Sequence, residues 1–346
     1  MASETRITSD LRIDATKFEP AAISKETVKT NAMLEHVTTT SAKWHTIGAA
    51  TYRKLRDEGK TSLPPPVYLP AARDIEIPSR DEGRDIPVRI YEPENGLPSR
   101  GILLHCHGGG FVLLSHNQSD NALERYANAC QLTAMSVGYR LAPEHPYPAA
   151  TNDCIDVAQY LVDHGEERFG QRLRFLTGDS AGSCLAAVTT FALMRSRPSH
   201  QLAGFLSHYG QFDVTLGLPY VSSYHKPLMV NAEELRHFAD AYTPSMSVEG
   251  RKNPGISPLY EDMQSLAVAS PTTRLPPAVF HIGTDDPLLD DNILMSAKWQ
   301  ITGSDGILKI YPGAPHGFTV LGGKAAADCA AVNVQFIKEK LAALEG

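Results

Sequence analysis

Six short β-rich runs, GILLHC (101–106), TAMSVGY (133–139), RFLTG (174–178), GFLSHY (204–209), AVFHIG (278–283) and ILKIY (307–311), are separated by segments long enough for crossover helices. Strands joined by such crossovers pair in parallel, and a parallel sheet must be covered on both faces. The alternation predicts an α/β fold with a mostly parallel central sheet and helices on either side. Two earlier runs, RDIEIPSR and PVRIYEP, stand close together around Asp81-Glu82-Gly83 and predict an antiparallel hairpin at the sheet edge. Open α/β sheets bind ligands at the C-terminal ends of their strands, so the chemistry is expected in the loops that follow these runs.

Two stretches break the alternation. Residues 1–62 read as helical, with Trp44, Ile47 and Leu55 on one face, and run into the stiff LPPP of 63–66. In the interval 213–265, Asn231 and Glu234 suit a helix start, and Leu235, Phe238, Ala239 and Tyr242 follow at helical spacing. Helical pieces added to such a sheet pack as a lid over the site's mouth, and that is the expectation for both.

Composition narrows the partners. Of 346 residues, 42% are apolar and 21% charged, enough for one large domain with an accessory lobe. The net charge of −7 is spread without long runs, which excludes a nucleic-acid footprint and favours a small-molecule partner. The opening MASETRITSD lacks the apolar core of a signal peptide, and no segment supplies about 18 uninterrupted apolar residues for a membrane span. A cytoplasmic protein is expected, in which the sequon Asn117-Gln118-Ser119 stays unused. Cys106, Cys130, Cys154, Cys184 and Cys329 are odd in number and widely spaced, which suits reduced, buried thiols rather than disulfides or a zinc site.

Gly178-Asp179-Ser180-Ala181-Gly182 joins an apolar run directly to a helical pattern. Small residues two before and two after a serine permit a sharp strand-to-helix turn that lifts the hydroxyl clear of its surroundings. His107-Gly108-Gly109-Gly110 follows another strand, and glycines there bring backbone N–H groups close to a ligand, where they meet charge developing on a carbonyl oxygen. His105 and His107 share a face of an extended strand without a third ligand, so no metal is expected. His316, in GAPHGF, and Asp285-Asp286, in GTDDPLLDD, each follow a later β-rich run. The order Ser, Asp, His at successive strand ends is the one a nucleophilic serine, an orienting acid and a base require in this type of sheet.

HCHGGGFVLLS (105–115), YRLAPEHPYPAA (139–150), GDSAG (178–182), SPLYEDM (257–263), DPLLDD (286–291) and PHGF (315–318) together resemble the hormone-sensitive-lipase-like family of α/β-hydrolase carboxylesterases. The resemblance covers roughly residues 70–340. It implies Ser180 as nucleophile, Asp286 as acid and His316 as base, with an oxyanion hole from the N–H groups of Gly108, Gly109 and Ala181. Gly110 and Phe111 are expected to border the substrate. The implied organisation is a cap from residues 1–62 and 213–265 on an α/β-hydrolase core made of 63–212 and 266–346. One departure is that many relatives continue the serine motif with another glycine, whereas Ser183 and Cys184 follow here. Glu144 is expected to anchor its loop, and Asp179 to scaffold the turn with its carboxylate turned away from Ser180.

The implied reaction is hydrolysis of a small, short-acyl ester through an acyl-enzyme, with no metal or organic cofactor. Lactones, natural-product acetyl esters and amides remain open as substrates, since one triad serves all of them. A homodimer is also left open. Some proteins of this fold act as non-catalytic receptors after losing the histidine, and His316 argues against that here.

Overall fold

In the computed structural model, which describes residues 10–61 and 64–345, eight strands form one sheet. They are β1 (Arg73–Pro78), β2 (Asp85–Tyr91), β3 (Ile102–Cys106), β4 (Thr133–Val137), β5 (Leu173–Asp179), β6 (Gly204–His208), β7 (Ala278–Asp285) and β8 (Gly306–Pro315), in the order β1-β2-β4-β3-β5-β6-β7-β8. The hairpin β1–β2 and the β2–β4 pair are antiparallel, and every other pair is parallel. Residues 1–9, the expected boundary at 62–63 and residue 346 lie outside the described residues.

Alternate side chains along each strand enter opposite cores. Leu103, Phe175, Leu206 and Val279 pack on α4 (Asp120–Cys130) and α11 (Gly323–Ala342). Leu104, Leu176, Phe205 and Phe280 pack on α5 (Ala149–Phe169), α6 (Ala181–Ser196) and α10 (Leu289–Ile301). Trp299 stacks on Phe205 with ring centroids 5.4 Å apart, and both are fully buried. Each such side chain contributes about 1.5–3 kcal/mol. Helix α6, Ala-rich and apolar on nearly every side, is accordingly buried along most of its length. All five cysteines are free and buried, as their apolar neighbours suggest.

The N-terminal part folds as α1 (Lys25–Thr40), α2 (Trp44–Ile47) and α3 (Ala49–Asp57). The expected single face of Trp44, Ile47 and Leu55 is not continuous, because Gly48 at φ 88° interrupts the helix between α2 and α3. In the second stretch, α7 (Pro219–Ser223) precedes α8 (Ala232–Tyr242), and Asn231 caps α8 by accepting the Glu234 N–H at 3.0 Å. Leu235, Phe238, Ala239 and Tyr242 are its buried positions. The two stretches meet: Trp44 stacks on Phe238 at 5.0 Å, His45 on His237 at 3.8 Å, and Glu234 pairs with Lys43 at 3.3 Å. Helix α9 (Met263–Ala269), capped by Asp262, spans the expected boundary at 265–266 and packs its Leu266 and Ala267 into the core beside α6 and α10.

Candidate active site

The turn between β5 and α6 shows why glycine flanks Ser180. A Cβ on Gly178 would lie 2.3 Å from the Gly182 carbonyl carbon, and one on Gly182 would lie 2.0 Å from the Cys106 oxygen. With those side chains absent the turn closes, and Ser180 takes φ 55°, ψ −119°, a conformation that costs a non-glycine residue of order 1–3 kcal/mol. Its amide donates to the His208 oxygen at 2.9 Å. Ser183 fastens the turn: its hydroxyl donates to the Gly178 oxygen at 2.5 Å and accepts the His208 N–H at 3.2 Å.

Three side chains meet at the C-terminal edge of the sheet. Ser180 Oγ lies 2.9 Å from His316 Nε2, and His316 Nδ1 lies 3.0 Å from Asp286 Oδ2. Asp286 is fully buried, and its Oδ1 accepts the Leu288 N–H at 2.9 Å. Its neighbour Asp285 faces another way, 2.6 Å from Lys226 Nζ. Tyr209 sets its ring edge-on to His316 at 4.8 Å, packing against the imidazole.

The loop after β3 brings its backbone against the same turn. Gly108 packs on Asp179, and a Cβ on Gly109, at φ 110°, would lie 2.1 Å from the Leu113 oxygen. Among the described residues, the amides of Gly108, Gly109 and Ala181 take no part in the backbone hydrogen bonds around the turn. Gly110 borders the cavity and has no space for a side chain, since a Cβ there would meet the Phe238 ring at 2.3 Å. Phe111 does not border the cavity as expected. At φ 64° its ring turns inward and stacks on Tyr242 at 3.9 Å.

His105 and His107 do not act as a pair either, because His107 lies beyond the end of β3. His105 sits between Ser136 at 3.1 Å and Asp179 at 3.0 Å. His107 stacks on Tyr139 at 4.1 Å, and burial pushes its pKa down to about 3, so the ring is neutral. Asp179 does turn away from Ser180, toward His105 and His208, whose Nδ1 is 2.8 Å from its Oδ1. Burial alone would raise the Asp179 pKa, but the two imidazoles hold it well below the usual carboxylate range. Glu144 anchors its loop on Arg53, at 2.9 Å, as expected.

A cavity of about 510 Å³ opens over Ser180 and His316. Trp44, Tyr52, Met229, Leu235 and Phe238, from the two helical stretches, form much of its apolar wall. Gln211 also faces it, fully buried, with neither amide atom hydrogen-bonded among the described residues. Gln211 and Tyr209 belong to no motif, and only their position just past β6, one more strand end, could have drawn attention to them. No helix among the described residues is long and apolar enough to cross a membrane.

This arrangement of parallel sheet, serine turn and later acid and histidine defines an α/β-hydrolase architecture. A family model described as the alpha/beta hydrolase fold matches residues 103–320, and the chain belongs to that family, on the hormone-sensitive-lipase-like carboxylesterase branch that its motifs resemble. An ethyl acetate hydrolase from Pseudomonas putida is 29% identical over 72% of this chain and 76% of its own length. A carboxylesterase, NlhH, from Mycobacterium tuberculosis is 28% identical over 82% of this chain and 84% of its own. The solved structure of a hyperthermophilic esterase from the archaeon Pyrobaculum calidifontis superposes with a TM-score of 0.76 at 25% identity, covering 93% of this chain and 98% of that one.

Proposed function

We propose that the chain hydrolyses small carboxylic esters through an acyl-enzyme on Ser180. The supporting observation is the chain of contacts from Ser180 Oγ to His316 at 2.9 Å and on to Asp286 at 3.0 Å, beside the glycine amides of one cavity. His316 takes the hydroxyl proton as Oγ attacks the ester carbonyl, and buried Asp286 fixes the tautomer and stabilises the imidazolium. The N–H groups of Gly108, Gly109 and Ala181 receive the oxyanion, each such donor being worth about 3 kcal/mol of barrier. Protonated His316 then supplies the leaving alcohol's proton, and water repeats the cycle to release the acid.

Residues 1–62 and 213–265 act in this reading as a cap, because their described side chains wall the cavity. Acyl groups of about two to eight carbons suit the enclosed volume. Gln211 offers an amide donor and acceptor, unpaired among the described residues, to a polar group on the substrate. The test combines two measurements. An organophosphonate is expected to modify the chain once, in the peptide carrying Gly178–Gly182, and Ser180→Ala to lower turnover by about five or six orders of magnitude. A panel of p-nitrophenyl esters, lactones and anilides then ranks substrates by kcat/KM. Labelling elsewhere, or turnover surviving in Ser180→Ala, overturns the assignment.

A further inference from the structure

The cavity over Ser180 is also lined by Tyr126, Asp179, His208, Cys329 and Asn333, with Tyr126 on α4 and Cys329 and Asn333 on α11. His208, His281 and Cys329 each offer a ligand atom there, all within 4.8 Å of one another, and all three residues are buried. They come from β6, β7 and α11, so no motif spacing announces them. On Nδ1, His281 is hydrogen-bonded to the Tyr311 hydroxyl at 2.9 Å, while His208 lies 2.8 Å from Asp179 Oδ1 in an ion-pair contact that is not aligned as a hydrogen bond. Polar groups beside the nitrogen that does not coordinate orient histidines that bind metal. The Asn333 amide lies across the two Nε2 atoms, with its Nδ2 2.8 Å from His208 and its Oδ1 2.8 Å from His281.

We propose that His208, His281 and Cys329 form a site for one soft divalent cation, with the Asn333 amide oxygen in the fourth position, and that filling it slows ester hydrolysis. Two imidazoles, a thiolate and one oxygen suit zinc, cadmium or cobalt(II) better than magnesium or calcium. Bond lengths of about 2.0 Å to nitrogen and 2.3 Å to sulfur put tetrahedral ligands about 3.3–3.8 Å apart, so side-chain movements of about 1 Å close the site. The cation displaces the thiol proton to solvent; His208 Nε2, which accepts from the Asn333 amide, carries none, and the His281 proton moves from Nε2 to Nδ1, with Asp179 staying as a nearby negative charge. Access is from the substrate cavity.

The slowing follows from the connections upward, and it rests on the esterase reading. Asp179 immediately precedes Ser180, and the Ser180 amide is held by the His208 oxygen at 2.9 Å. The Tyr209 amide is held by the His281 oxygen at 2.7 Å, and the Tyr209 ring touches His316. Drawing the two imidazoles together therefore shifts both the serine turn and the support of the base. The effect falls on kcat rather than KM.

Cobalt(II) titrated into chelator-treated full-length protein is expected to give a thiolate-to-cobalt charge-transfer absorption saturating at one ion per chain, and the same band in Ser180→Ala. Zinc is expected to lower kcat of the wild type. Cys329→Ser should abolish the band, keep the metal-free activity and raise the zinc concentration for half-inhibition by at least about tenfold. Should Cys329→Ser not fold, His281→Gln takes its place with the same expected shift in zinc sensitivity. No charge-transfer band on the folded wild type, or equal zinc sensitivity in the variant, overturns the proposal and makes His316 the cation's target. A saturating band on a protein that turns over no ester would keep the site and refute only the esterase reading.

Discussion

Two aspartate–histidine pairs flank Ser180 at similar distances, but only the His316 pair is aligned as a hydrogen bond among the described residues. His316 Nδ1 is 3.0 Å from Asp286, and His208 Nδ1 is 2.8 Å from Asp179. Both histidines are buried and follow or end strands of the parallel part of the sheet. They differ in what the far nitrogen meets. His316 presents Nε2 to a hydroxyl on a strained turn that borders the cavity, whereas His208 presents Nε2 to the Asn333 amide deep between α4 and α11. An Asp–His pair is therefore not by itself a catalytic unit. The third group decides whether the pair moves a proton or holds two strands together.

The largest effect that separates the pairs is expected at Asp286. Replacing it by Asn removes the charge that stabilises the imidazolium and favours the wrong tautomer, a loss that in other triads reaches about ten-thousandfold in turnover. Folding should be little affected, since the amide oxygen can still accept the Leu288 N–H. The measurement is kcat on a p-nitrophenyl ester at equal folded fraction, checked by near-UV circular dichroism. A variant retaining more than about a tenth of wild-type turnover would break the assignment of the acid.

Asp179→Asn is expected to do the reverse. His105 and His208 lose a buried partner, and breaking such an arrangement costs about 3 kcal/mol or more. Tm should fall by roughly 6 °C for a chain of this size, while turnover per folded molecule falls far less than in Asp286→Asn. The sign with pH follows from the depressed carboxylate. Its stabilisation is present above the unfolded value of about 4 and is lost as pH falls toward the folded one, so the gap between variant and wild type closes in acid. Thermal melts at neutral pH and at about pH 3 check this. A larger gap in acid would mean that Asp179 is not held ionised.

What could be read in advance divides along the same line. The alternation of β-rich runs gave every strand from β3 to β8, because buried parallel strands announce themselves as short apolar runs. The hydroxyl, acid and base of the candidate site were legible because each sits at a strand end inside a local motif. Phe111 was misplaced since nothing local reveals that its backbone adopts a positive φ and turns the ring onto Tyr242. The break at Gly48 was missed because a lone glycine does not end a helical pattern by itself. The His208, His281 and Cys329 cluster was invisible for a different reason: it is assembled from three elements far apart in the chain, and only the packing of α11 under the sheet brings them together.

The smallest expected effect lies one residue from the largest. Asp285 ends β7, and its carboxylate points outward to Lys226 at 2.6 Å, with the Asn31 amide at 3.4 Å. Those contacts tie the inserted stretch and the N-terminal helix α1 to the sheet, and Lys226 is largely exposed. An ion pair with one exposed partner contributes no more than about 1 kcal/mol, and salt screens it further. Asp285→Asn should therefore lower kcat/KM by less than about tenfold, with any change weighted toward KM because only the attachment of the inserted stretch and α1 is touched. Adding salt to the wild type should reproduce part of that change. If Asp285→Asn instead proves inactive while Asp286→Asn turns over, the acid of the triad stands one residue earlier than the 3.0 Å contact to His316 indicates, and the comparison between the two pairs fails with it.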